Sequence, residues 1–254
     1  MVEKRAIVAF GLIAMGLAAC AGNGNRGGAN GTQPTRAPCG RGAANDLLIT
    51  SVDDPNEAVV TDYNPSLPNI PQEIVYQHRS PTWFTLGDGS GTIVLEFAPV
   101  SGTPIAGNLR ATHVIATGFS SWADFGIAFQ PVQAPDGGPP GACFYDLSAY
   151  RGISFYGRAV AEATTLRAKI PTARTASSDQ NGLCTNNCWD DYGENLQFTT
   201  DWQQFTMLFA NMAQEGWGSV QPWDPTVALT IEFISNGNHP NFDVDVDQLE
   251  FVAP

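Results

Sequence analysis

The run Phe242-Asp243-Val244-Asp245-Val246-Asp247-Gln248-Leu249-Glu250-Phe251 is the feature that most restricts how this chain can fold. Alternation with a period of two belongs to a strand with one buried face and one open face. It places Phe242, Val244 and Val246 inward and Asp243, Asp245 and Asp247 outward. The parity breaks before Leu249 and Phe251, so a bulge or bend is expected near Asp247. Strand-like runs of the same kind precede it, at residues 47–49, around Trp83 and Thr85, and at 93–97, 109–116, 126–129, 153–157, 166–170 and 229–234. Turn-forming Gly, Pro, Asn and Asp separate them. Only residues 209–214 look able to form a helical turn. Without amphipathic helices there are no crossovers for a parallel α/β sheet, and the pattern predicts an all-β sandwich or jelly roll.

The front of the chain has a different character. Residues 1–5 are charged, and residues 6–19 form an apolar run too short for a membrane span. The run ends in Leu17-Ala18-Ala19-Cys20, which resembles the signal and lipobox of a bacterial lipoprotein. That resemblance implies a signal peptide over residues 1–19 and a lipid on Cys20, with the membrane reached through this anchor only. Ala21 stands where an inner-membrane retention signal would have Asp, which implies lipid anchoring at the outer membrane or secretion. Residues 20–44 lack any apolar period and read as a flexible tether, leaving 45–254 as one folded domain. The net charge of −13 makes nucleic acid a poor partner, because its binding depends on Lys and Arg meeting phosphates.

Four further cysteines suit an oxidising compartment. Cys184 and Cys188 are close enough to pair, while a pairing of Cys39 with Cys143 follows only by elimination. A zinc site using Cys184, Cys188 and His239 is the alternative, disfavoured by the shortage of other ligands. Asp53, Asp54 and Glu57 cluster on a turn, an oxygen-rich group that suits calcium or plain solvation. His113 shares a strand face with Ala111 and Ile115 and reads as a packed residue. In Leu166-Arg167-Ala168-Lys169-Ile170 the two cations share one face, either solvated or offered to a ligand.

In order along the chain, several pieces resemble the galactose-binding-like jelly rolls of carbohydrate-binding modules, especially the family-eleven-like group. They are Arg79, Trp83 and Phe84 with Asp88-Gly89; Gly118-Phe119 with Trp122; and Tyr145-Asp146-Leu147-Ser148 with Tyr150, Gly152-Ile153 and Phe155. Cys184 and Cys188, Thr200-Asp201-Trp202-Gln203 with Phe205, Gly216-Trp217-Gly218 and the final strand continue the series. The resemblance implies a structural calcium joining the first strand to the last, and it falls on Asp53 and Asp247. It also implies a non-catalytic module that binds a polysaccharide or oligosaccharide.

Sugars present C–H faces and hydroxyls, so a site for them needs aromatic platforms and fixed polar groups. Trp83, Trp122, Trp189, Tyr192, Trp217 and Trp223 are candidate platforms, with Arg79, Asp88, Asn186 and Asp190 as polar partners. Trp202 reads as core and Trp217 as a packed corner. The ligand is expected at Arg79, Trp83, Asp88, Trp189, Asp190 and Tyr192. The alternatives are an envelope scaffold or adhesion lipoprotein that binds protein, and a jelly-roll glycoside hydrolase or lyase. No catalytic pair or constellation is visible for the latter.

Overall fold

The computed structural model describes residues 40–41, 47–50, 82–100, 110–129, 131–132, 141–142, 144–177, 182–236 and 240–254. Chain contacts divide the protein into Met1–Thr35 and Arg36–Pro254, and every described residue belongs to the second unit. The signal peptide, Cys20, Cys39, Cys143, Asp53, Asp54, Glu57, Arg79 and His239 lie outside the described residues.

The strands are, in chain order, β1 (Gly40–Arg41), β2 (Leu48–Thr50), β3 (Thr82–Gly87), β4 (Thr92–Pro99), β5 (Arg110–Thr117), β6 (Trp122–Ala128), β7 (Pro131–Val132) and β8 (Gly141–Ala142). They continue with β9 (Tyr145–Asp146), β10 (Gly152–Ala159), β11 (Thr164–Ile170), β12 (Tyr192–Phe198), β13 (Gln203–Leu208), β14 (Thr230–Asn236) and β15 (Phe242–Val252). Two large antiparallel sheets result, one of order β13-β10-β15-β5-β4 with β2 also on β15, the other of order β12-β11-β14-β6-β3; β1 pairs in parallel with β9, and β7 antiparallel with β8, as two-stranded additions. The chain passes repeatedly from one sheet to the other, as in a jelly roll. Among the described residues the one helical element is a 3-10 turn, Pro225–Val227; residues 209–211 make a plain turn.

The inner faces meet through aromatic side chains. Phe125 of one sheet lies 5.6 Å from Phe242 of the other, and Phe155 meets Phe233 edge-on at 5.0 Å. Alternation supplies these residues: Leu166, Ala168 and Ile170 point inward from β11, and Phe242, Val244 and Val246 from β15. Edge-to-face and offset ring pairs add stabilisation beyond the apolar area they bury.

The long final strand carries the expected bulge. β15 pairs with β5 over Phe242–Val246 and with β2 at Leu249 and Glu250. Between them Gln248 adopts φ 46°, and the register against β10 shifts between Ser154 and Tyr156. The bulge therefore sits where β15 changes neighbours along one edge. Two of the three outward aspartates are not solvated, however. Asp245 and Asp247 are buried, and Asp245 is covered by His113 and Arg158. Trp202 is also not core: it precedes β13, half-buried, beneath the Arg158 guanidinium at 5.0 Å.

Candidate functional site

Inward placement of Leu166, Ala168 and Ile170 sends Arg167 and Lys169 to the outer face of the five-stranded sheet. Strand register then sets their neighbours. Lys169 lies between Gly193 of β12 and Glu232 of β14, with Gly126 of β6 next in the row. Arg167 leads the adjacent row, followed by Ile234, Asp124 and Leu86. The two glycines let the charged pair lie close to the sheet. A Cβ on Gly193 would come within 2.9 Å of the Lys169 Cβ, and one on Gly126 within 2.8 Å of the Phe84 ring.

These side chains floor a cleft of about 550 Å³, within the size range of small-molecule sites. Its aromatic walls are Trp122, at the start of β6, and two loop residues, Trp189 and Trp217. On the floor, Lys169 Nζ lies 2.9 Å from Glu232, 3.1 Å from Asp191 and 3.9 Å from Asp124. Arg167 donates to the carbonyls of Ala213 at 2.5 Å and Asp191 at 3.2 Å, with Glu215 3.8 Å away. Both cations are buried, which replaces the solvated face that their strand pattern allowed. Burial by itself disfavours the Lys169 charge, but Glu232, Asp191 and Asp124 outweigh it and hold the ammonium well above its ordinary range. Burial, followed by the charge of Glu232, pushes the Asp124 carboxyl well up. Burial also raises Asp191, with Lys169 opposing it.

Two loops carry Trp189 and Trp217, and they are knitted together. The Cys184–Cys188 disulfide, with Cα atoms 5.6 Å apart, closes the first loop. The Asp190 carboxylate, itself buried, accepts from the backbone N–H groups of Glu215 at 2.8 Å and of Gly216 and Gly218 at 2.9 Å each. The Gln214 side chain adds bonds to the Asp190 and Ser219 carbonyls. A third connection serves Trp122. Asp88, in the turn after β3, accepts from Ser90 N–H at 2.9 Å and from Ser121 N–H and hydroxyl at 2.7 Å each. Hydrogen bonds from Ser90 and then Ser121 draw the Asp88 carboxyl below its usual range.

Of the residues expected to meet a ligand, Trp189 lines the cleft and Asp88 stands behind its rim. Trp83 is fully buried and stacked on Phe125 at 6.4 Å, so it offers no platform. Its alternation with Thr85 turns it to the inner face. Asp190 spends its carboxylate on backbone N–H groups. Tyr192 donates its hydroxyl to the Gln221 carbonyl at 2.6 Å and tilts its ring against Trp223, so both rings brace the loops. Trp217, expected as a packed corner, is 57 % exposed, with its indole N–H on Glu215. Asp124, Asp191, Glu215 and Glu232 were not anticipated, since nothing in their local sequence marks them.

Asp247 is fully buried at the bulge of β15, and its expected calcium partner Asp53 lies outside the described residues. Among the described residues, no group of three or more His, Cys, Asp or Glu side chains is arranged to hold a metal ion.

No protein-family model matches the chain, and no curated protein matches it. Among solved structures it is similar to a family 11 carbohydrate-binding module from Clostridium thermocellum in complex with a β-1,3-1,4-mixed-linked tetrasaccharide. That match has a TM-score of 0.47 and 15% identity, and covers 67% of this chain and 88% of that chain. A family 30 carbohydrate-binding module of a Clostridium thermocellum cellulosomal cellulase gives a TM-score of 0.42 at 15% identity, covering 65% of this chain and 91% of that one. At this level the likeness is one of strand layout, and no ligand transfers with it.

Proposed function

We propose that this protein is a non-catalytic carbohydrate-binding lipoprotein, tethered through Cys20, that holds a polysaccharide or oligosaccharide in the cleft on its five-stranded sheet. The observation that carries the proposal is the pairing of three tryptophan walls with a floor of fixed polar groups. Indole faces stack on the C–H faces of sugar rings, and prearranged carboxylates accept hydrogen bonds from hydroxyls without reorganisation. The floor carboxylates gather around the Lys169 ammonium, which fixes their positions for orienting a ligand.

Glycan-array and affinity-gel screening of residues 45–254 tests the reading. Retention is expected for the unaltered domain and weaker retention for Trp217→Ala, Trp122→Ala and Trp189→Ala. Failure to retain any polysaccharide removes the proposal, and reducing-sugar release would replace it with an enzyme. Cys20→Ala is expected to free the protein from membranes. The structural calcium stays within the proposal for Asp247 and Asp53; calorimetric titration of EDTA-treated protein that shows no calcium binding would remove that part.

A further inference from the structure

We infer that the glycan held in this cleft carries positive charge, a free ammonium of an amino sugar seated beside Asp124 and between the tryptophan walls. The inference rests on the reading of the cleft as a glycan site and adds the charge of the ligand.

The charges lining the cleft do not balance. Four carboxylates, on Asp124, Asp191, Glu215 and Glu232, face two cations, Arg167 and Lys169. Both cations are already engaged: Arg167 with two backbone carbonyls and Glu215, and Lys169 with three buried carboxylates. Carboxylates withdrawn from water require a cation or a proton. Of the three carboxylates around Lys169, Asp124 is the one held least closely. It is 2 % exposed, lies farthest from the ammonium at 3.9 Å, and, like Asp191, keeps Oδ1 without a hydrogen-bond partner. Burial and the neighbouring Glu232 favour its protonated form, so a ligand ammonium would take the place of that proton.

The walls favour the same chemistry. Tryptophan is the best aromatic partner for a cation, attracting it over the ring face. Trp217 is exposed and its indole N–H is bonded to the Glu215 carboxylate at 3.2 Å, which sets an aromatic face and a negative charge side by side at the rim. An anionic glycan finds the opposite: engaged cations, surplus carboxylates, and a chain of net charge −13.

The test is an array of glycans bearing free amines, each printed beside its N-acetylated and hydroxyl counterparts, at about pH 5.5, where amines are charged. Within the strongest-binding set, calorimetry is expected to give the amine form an affinity at least about tenfold higher, a gap that narrows with added salt. Asp124→Asn should erase the gap, and Glu215→Gln, at a site one-third exposed and so safe for folding, should narrow it. If the strongest ligand has no amine, or its amine confers no advantage, the inference falls while the glycan reading stands. If no glycan is retained, both fall.

Discussion

The two outer faces of the sandwich use the same residue types and arrive at different ends. On the six-stranded sheet, Asp245 receives His113 on one carboxylate oxygen and Arg158 on the other, each at 2.8 Å, and Arg158 caps Trp202. That aspartate has both oxygens satisfied by side chains on neighbouring strands. On the five-stranded sheet a single ammonium serves three buried carboxylates, while loops from distant parts of the sequence stand around the rim. The side chains paired around Asp245 tie strands together. The crowding of carboxylates around one ammonium beneath aromatic walls is what the proposed glycan would meet.

That contrast can be broken by substitution. Lys169→Met is expected to have the largest effect, because it strands three buried carboxylates: about 3–5 kcal/mol lost in urea unfolding, with glycan retention lost as well. Asp245→Ala should destabilise by about 1.5–3 kcal/mol by leaving Arg158 and His113 without their shared acceptor, yet leave glycan retention intact. Loss of retention in that variant would erase the functional difference between the faces. Trp217→Ala should do the reverse, weakening retention about tenfold with an unchanged melting temperature.

The smallest effect is a pH dependence. The folded Asp124 carboxyl is held above its ordinary range, with Glu232, Asp191 and Lys169 facing it. Its contribution to stability is therefore full at acid pH and declines as pH rises from the ordinary carboxylate range through the raised value. Asp124→Asn lacks this decline, so its melting temperature relative to the unaltered protein should improve between about pH 4 and pH 8. A parallel shift of both proteins would show that Asp124 is not the group in deficit.

Much of the framework could be read from the sequence because it rests on local periodicity. The alternation of residues 242–246 and its break near Asp247 correspond to the inward Phe242, Val244 and Val246 and to the left-handed Gln248. The disulfide followed from the short spacing of Cys184 and Cys188. The site was less accessible, because it is assembled across the register of three strands. Arg167 and Lys169 stood out as two cations on one face, but their burial depends on Glu232, Asp124 and Asp191, none of them near in sequence. The exchange between Trp83 and Trp217 has a similar cause. Alternation marks which residues share a face, and only the partner sheet decides that the face of Trp83 is the inner one.

The backbone at Trp189 has a consequence for anyone surveying substitutions. Its φ of 76° lies in the left-handed region, where a side chain with a Cβ is strained and glycine is not. Its amide N–H is nonetheless fixed to the Thr175 carbonyl at 2.8 Å, immediately after the disulfide cysteine. At most positions alanine outranks glycine in stability, because glycine leaves the unfolded chain more freedom. Position 189 should invert that order, with Trp189→Gly about 1 kcal/mol more stable than Trp189→Ala. Among variants that remove the indole wall, a screen for heat resistance would thus rank glycine above alanine at this position, even though both give up the packing of Trp189 against Phe144, Val227 and Leu229.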